Sequence, residues 1–179
     1  MTLKFVTGNE HKFNEANQIL GNIEHVEIDL PEIQSSDVYE VVRAKLLEAS
    51  KYDGGGFIIT DMSLSLDALN GLPGPLIKWF MKTIGSEGLY KLASSLGNYG
   101  AEAKNVIGYL DNKGNMHFFE GSIKGNIVAP RGIYGFAWDN VFEPAGRSKT
   151  FAEMTPEEKN EMSMFRIALD NLKTFLNSK

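Results

Sequence analysis

The feature that most constrains this chain is a strand-like run that stops on a glycine and gives way at once to a helical stripe. Residues 3–7 read Leu-Lys-Phe-Val-Thr and Gly8-Asn9 follow. Phe13, Ala16, Ile19 and Leu20 then fall on one side of a helix, with Gly21 placed to end it. The alternation continues: a second strand is predicted over 25–29 and a second helix over 37–50, where Asp37 and Glu40 stand at capping-box spacing. After Gly54-Gly55-Gly56 a third strand is predicted over 57–61, ending on Asp61. Such a β-α-β-α-β opening argues for an α/β protein.

The remainder mixes helices with an antiparallel part. Pro73-Gly74-Pro75 introduces a helix carrying Leu76, Ile77, Phe80 and Ile84, with Pro75 expected in its first turn, and another helix is predicted over 87–95. Residues 102–121 read as a hairpin turning at Asp111-Asn112-Lys113-Gly114, and a further strand is predicted over 122–129. Thr155-Pro156-Glu157-Glu158 is a capping box with proline at the first helical position. The seam Met162, Phe165, Leu169, Leu172 and Leu176 extends that helix to the end of the chain. Unbroken, it would run about 33 Å, long enough that a kink is expected.

Composition narrows the chemistry. The 179 residues suit one domain, or two lobes sharing one core, without repeats or long linkers. No cysteine is present, which excludes disulfides, thiolate zinc sites and a cysteine nucleophile. The three histidines, His11, His25 and His117, are too scattered to suggest a histidine metal cluster. Asp and Glu total 23 against 18 Lys and Arg, a net charge of -5, so a general nucleic-acid coat is not expected. No apolar run approaches the length of a membrane span, and the N-terminal apolar stretch is too short for a signal peptide. A complete, cytoplasmic chain is the expectation.

Several residues could carry chemistry, and each has a plain structural alternative. Thr7, Gly8 and Asn9 join strand to helix, where free backbone N–H groups and a helix dipole favour an anion, and Lys12 adds a point charge. Many such turns hold no ligand. Asp61 is expected at the carboxyl end of a sheet strand, where open α/β sheets bind ligands, although a strand-end aspartate also caps turns. Glu32, in Leu30-Pro31-Glu32-Ile33-Gln34, could join it; paired carboxylates without cysteine or clustered histidine favour Mg²⁺ over zinc. The segment Arg131 to Asp139 packs glycines with Phe136 and Trp138, which either stack on a base or fill the core. Lys159, Ser163 and Arg166 fall on one helical side, facing solvent or a ligand.

Taken in order, five blocks resemble the inosine triphosphate pyrophosphatase, or Ham1-like, family. They are FVTGNEHK, IDLPEIQ with the following Lys45 to Ala49, NGLPGPLIKWF, APRGIYGFAWDNVFEP and TFAEMTPEEKN. The resemblance covers nearly the whole chain. It implies a single domain over residues 1–179, with an elongated two-lobed mixed sheet flanked by helices around a central cleft, and a homodimer. It also implies cleavage of purine nucleoside triphosphates (ITP, dITP, XTP) to monophosphate and pyrophosphate, without a nucleic-acid or membrane partner. Carried over by residue, Lys12, Lys45, Thr7, Gly8 and Asn9 would hold phosphates, and Glu32 and Asp61 would bind Mg²⁺, with Mn²⁺ as the alternative. Asp61 would orient or deprotonate the attacking water with Lys12 as its catalytic companion, and Phe136, Trp138, Asp139 and Lys159 would enclose the base.

Two departures stand out. Family members carry Glu-Asp-Ser/Thr-Gly-Leu where this chain has Thr60-Asp61-Met62-Ser63-Leu64. They carry Ser-His-Arg where it has Ser163-Met164-Phe165, with Arg166 displaced to the next position. Losing a charge-assisted hydrogen bond removes about 1.5–3 kcal/mol. Three outcomes follow: an active enzyme in which Arg166 replaces the missing arginine, one with relaxed base choice, or a nucleotide-binding protein without catalysis.

Overall fold

A computed structural model describes residues 2–52, 56–135 and 137–178. The predicted opening is present: β1 (Leu3–Val6), α1 (Glu10–Leu20), β2 (Ile23–Val26), α2 (Val38–Ala49) and β3 (Phe57–Leu66). Asn9 caps α1 by accepting from the Lys12 amide at 3.1 Å, and Asp37 caps α2 by accepting from the Tyr39 amide at 2.8 Å. Glu40 does not complete a capping box; it accepts from the Ser35 hydroxyl instead. The second strand lies earlier than the predicted 25–29, because Gly21 and Asn22, both with positive φ, turn the chain into Ile23 directly.

The later elements are β4 (Pro73–Gly74), α3 (Ile77–Thr83), α4 (Gly85–Leu96), β5 (Gly100–Leu110), β6 (Met116–Ile127), β7 (Phe142–Pro144), α5 (Pro156–Asn160) and α6 (Met164–Asn177). Pro75 precedes α3 rather than occupying its first turn. The hairpin turn is held by Asp111, whose carboxylate accepts from the Lys113 and Asn115 amides, both at 2.9 Å. No separate strand covers 122–129, because β6 continues without a break to Ile127. The terminal helix is interrupted rather than kinked. Helix α5 ends at Asn160, and Ser163 then caps α6, its hydroxyl accepting from the Arg166 amide at 3.1 Å, which restarts the helix.

The seven strands form one mixed sheet in the order β2-β1-β3-β5-β6-β7, with β4 on the side of β3. Strand β3 is the seam. It runs parallel to β1 only at Phe57 and Ile58, yet antiparallel to β5 from Phe57 to Leu66. Asp61 therefore does not stand at a strand end. It lies mid-strand, beyond the last residue that β1 covers. The prediction stopped short because Asp61, Ser63 and Ser65 interrupt the apolar run, although they alternate with Met62, Leu64 and Leu66 as a strand requires.

Alternation along β3 also divides the core. Phe57 and Ile59 pack with Val42 and Leu46 of α2 on one face. Ile58 packs with Ala16 and Ile19 of α1 and with Phe165, Ala168 and Leu172 of α6 on the other. Beyond them, Leu64 and Leu66 join a third cluster with Leu89, Phe142, Phe151 and Met164. Helix α6 approaches β6 at Gly121, where a Cβ would stand 2.0 Å from the Met164 carbonyl oxygen and 2.8 Å from the Ala168 amide nitrogen. Gly121→Ala must push α6 off the sheet, and a loss of about 1–3 kcal/mol is expected in urea unfolding. An unchanged midpoint would show that α6 is not held this closely.

Candidate active site

Where β3 outruns β1, charged side chains converge from three elements. Lys45, on the β3-facing side of α2, places its ammonium 2.7 Å from Asp61 Oδ1 and 2.7 Å from Glu32 Oε1. Glu32 comes from the chain between β2 and α2, and its second oxygen accepts from Lys78 of α3 at 3.0 Å. Trp79, the next residue of α3, donates its indole N–H to Gln34, so α3 grips the Glu32 segment at two points. Burial opposes the charge of Lys45, but Asp61 and Glu32 outweigh it and hold its pKa above the ordinary value. Burial raises Asp61 above the ordinary carboxyl range, with Lys45 opposing. Burial lowers Lys12, against the pull of Asp61.

Two cavities open here. The first, about 350 Å³, is lined by Lys12, Glu32, Asp61, Met62, Lys78 and Trp138, among others. The second, about 650 Å³, is lined by Asn9, Lys12, Glu15, Tyr134, Lys159, Met164 and Phe165, among others. Lys12 and Met62 line both, so the cavities share a wall. The first sets Lys12, Glu32, Asp61, Lys78 and Lys82 among apolar side chains; the second mixes neutral polar side chains with Phe151, Met154, Met164 and Phe165.

The predicted residues distribute unevenly over this arrangement. Asn9, Lys12 and Lys159 line the second cavity, and Lys12, Glu32 and Asp61 the first. Thr7 and Gly8 line neither and act on the loop itself. The Thr7 hydroxyl accepts from the Asn9 amide at 3.1 Å, and its carbonyl accepts from His25 Nε2 at 2.7 Å. Lys45 reaches Asp61 from behind the first cavity. Trp138 is only 3% exposed, packed edge-on against Phe142, and it borders the first cavity rather than the second. Asp139 is equally buried and holds the Lys159 ammonium at 2.6 Å. Gly135 lies against that carboxylate; with φ +79 and a Cβ position 2.2 Å from Asp139 Oδ2, a side chain there would be strained and would displace Asp139. Phe136 lies outside the described residues.

Lys159, Ser163 and Arg166 do not share one helical side. Lys159 belongs to α5, Ser163 is the cap of α6, and Arg166 lies within α6. Arg166 is 43% exposed, bonds Asp170 at 2.9 Å, and is not among the residues that line either cavity. Met164 and Phe165 line the second cavity in its place. Thr60 faces away from Asp61 and donates to Asn105 at 2.7 Å.

Sequence reasoning missed Glu15, Lys78 and Tyr134. Glu15 was accessible, since it lies one turn after Lys12 on α1 and so shares its face. Its Oε1 is buried without a hydrogen-bond partner, and burial pushes its carboxyl up to about 7 despite Arg166, Lys159 and Lys12 nearby. Among the described residues no group of three or more His, Cys, Asp or Glu could hold a metal. Glu32 and Asp61 supply two oxygen donors, which suits an ion that completes its shell with water and phosphate oxygens, as Mg²⁺ does.

The Ham1 family matches residues 3–175 of this chain. Inosine triphosphate pyrophosphatase of Schizosaccharomyces pombe is 42% identical over 182 residues, covering 99% of this chain and 96% of the relative. Inosine triphosphate pyrophosphatase 1 of Trypanosoma cruzi is 44% identical over 173 residues, covering 94% and 88%. Among solved structures, the Ham1 protein of Staphylococcus aureus superposes with a TM-score of 0.84 at 26% identity, covering 98% of each chain. The HAM1 protein of Coxiella burnetii gives 0.86 at 25% identity, covering 99% of this chain and 100% of the other.

The Glu15 carboxyl makes a prediction about stability. Its pKa rises from 4.5 to about 7 on folding, so between these values the native state keeps a proton that the unfolded chain has lost. Stability is therefore lost as pH rises through that window. Relative to Glu15→Gln, the protein should lose about 1–3 kcal/mol between about pH 5 and pH 8, allowing for screening at its partly exposed side chain. Urea unfolding at the two pH values measures it; parallel profiles would contradict the burial of this carboxyl.

Proposed function

This chain belongs to the Ham1 family, and we propose that it hydrolyses triphosphates of the non-standard purines, ITP, dITP and XTP, to the monophosphate and pyrophosphate. The observation that carries this reading is the pair of cavities meeting at Lys12: a smaller one that holds Glu32, Asp61 and Lys78, and a larger one of a size for a base. A triphosphate brings about four negative charges, and the field that meets it is local, so the net charge of -5 is no obstacle.

In this reading Lys12, Lys45 and Asn9 hold the phosphates. Burial lowers the Lys12 pKa, and a bound phosphate would favour its cationic form. Glu32 and Asp61 would hold Mg²⁺, or Mn²⁺ in its place, and when bound the ion would offset charge building on the leaving pyrophosphate. Asp61 orients the attacking water toward the α-phosphate and takes its proton, a role suited to a carboxylate whose pKa burial has raised. Lys159, oriented by Asp139, closes the base side. A homodimer and a cytoplasmic location belong to the same proposal and rest on the resemblance.

Relaxed base choice is the second reading, favoured by a specific observation. Met164 and Phe165 line the base cavity while Arg166 turns to Asp170, so the displaced arginine does not replace the family's own. Loss of catalysis through Thr60 has less support, because Thr60 bonds Asn105 on the far side of the strand while Asp61, Lys45 and Glu32 stay assembled.

Pyrophosphate release from ITP, XTP, dITP, ATP and GTP tests these readings together. Asp61→Asn and Lys12→Ala should each lower turnover by about 100-fold or more, and chelation should abolish it until Mg²⁺ is restored. Unchanged turnover in Asp61→Asn would overturn the mechanism, and comparable rates on all five nucleotides would select the relaxed enzyme.

A further inference from the structure

Glu15, half-buried in the wall of the larger cavity, has one carboxyl oxygen, Oε1, buried with no hydrogen-bond partner. Such a group is costly to leave unmade, and natural structures tolerate it where a ligand supplies the missing bond. The cations around it are already engaged. Lys159 of α5 is held by Asp139 at 2.6 Å, and Arg166 of α6 by Asp170 at 2.9 Å. Lys12, on its own helix, faces the shared wall between the cavities. His11 and the Tyr134 phenol also line the cavity; Met62 of β3, Phe151, and Met164 and Phe165 at the start of α6 present no charge. On this wall, Glu15 is the carboxyl left to meet the base.

We propose that Glu15 reads the edge of the purine, and that its protonation state selects which edge it accepts. The inference rests on the nucleotide reading of the two cavities and adds a base-selecting group to it. As a neutral acid, Glu15 presents an O–H donor beside a carbonyl acceptor. That pair matches the O6 acceptor and N1–H donor of hypoxanthine. It also matches the N1 acceptor and N6–H donor of adenine, because the two carboxyl oxygens exchange roles. As a carboxylate, Glu15 offers two acceptors and no donor. Guanine alone among these bases presents two adjacent donors, N1–H and N2–H, whereas the O6 of hypoxanthine and the N1 of adenine would each face an anionic oxygen. Charge-assisted bonds to guanine are the stronger set. The burial that pushes this carboxyl up to about 7 places the exchange within the range of ordinary assays.

The test measures kcat/KM for ITP, ATP and GTP between about pH 5.5 and pH 8, where hypoxanthine and guanine keep their N1 protons, and reads ratios so that the pH dependence of the chemistry cancels. The GTP/ITP ratio should rise about tenfold with pH, while ATP/ITP stays level. In Glu15→Gln, which keeps one donor and one acceptor at every pH, the GTP/ITP ratio should be flat. His11→Gln, which removes the imidazole at the cavity rim, should keep the rise. Calorimetry of IMP and GMP on the unmodified protein at both pH extremes gives the same comparison without catalysis: the preference should move toward GMP as pH rises. A GTP/ITP ratio independent of pH, or a rise that survives Glu15→Gln, overturns the assignment. Absence of pyrophosphate release on every nucleotide would instead overturn the proposed function, and the two failures are read separately.

Discussion

Past Ile58, strand β3 has lost β1 on one side and keeps β5 on the other. The remainder of the site follows from this mismatch. A sheet edge left open beyond the end of a parallel neighbour leaves room for side chains and ligand, and here it receives Asp61 from the strand and Lys12 from the helix after β1. The long antiparallel pairing with β5 keeps Asp61 rigid while its flank is open. A carboxylate on a loop tip would lack that support; one flanked by strands on both sides would lack the space.

Charge placement around Asp61 is close to balanced before any ligand arrives. Lys45 bridges Asp61 and Glu32, and Lys78 takes the second oxygen of Glu32. This network holds the carboxylates in place, and it also keeps Lys45 charged against its burial. Lys12 has no such anchor and is the cation whose charge burial disfavours most directly. A polyanionic ligand would relieve that imbalance, which makes Lys12 the pivot between the cavities in energy as well as position.

The base side is built by different means. Its floor comes from the break between α5 and α6, where α5 ends at Asn160 and Ser163 caps the next helix. The break presents Met164 and Phe165 to the cavity and sends Arg166 outward. Opposite them, α1 contributes Glu15 one turn after Lys12, so a single helix supplies both the cation of the phosphate side and the carboxyl of the base side.

Much of this was legible in the sequence where the cause is local. The caps at Asp37 and Thr155, the glycine end of α1 and the Asp111 turn depend on hydrogen bonds within a few residues. The block order, with Lys12, Glu32, Lys45 and Asp61 in it, was equally plain. Local pattern failed where a partner far along the chain decided the result. Asp61 and the serines after it belong to a strand because β5 pairs with every one of them. Ser163 breaks a seam whose apolar period alone would continue the helix. Sequence alone determined which groups could titrate and in which turns they sat. Only the tertiary structure decided that Lys45 would join Asp61 to Glu32, that Arg166 would leave the cavity and that Glu15 would remain in its wall unpaired. The reason is physical: capping and periodicity act over a turn or two, whereas burial and charge pairing depend on where the sheet brings distant segments together.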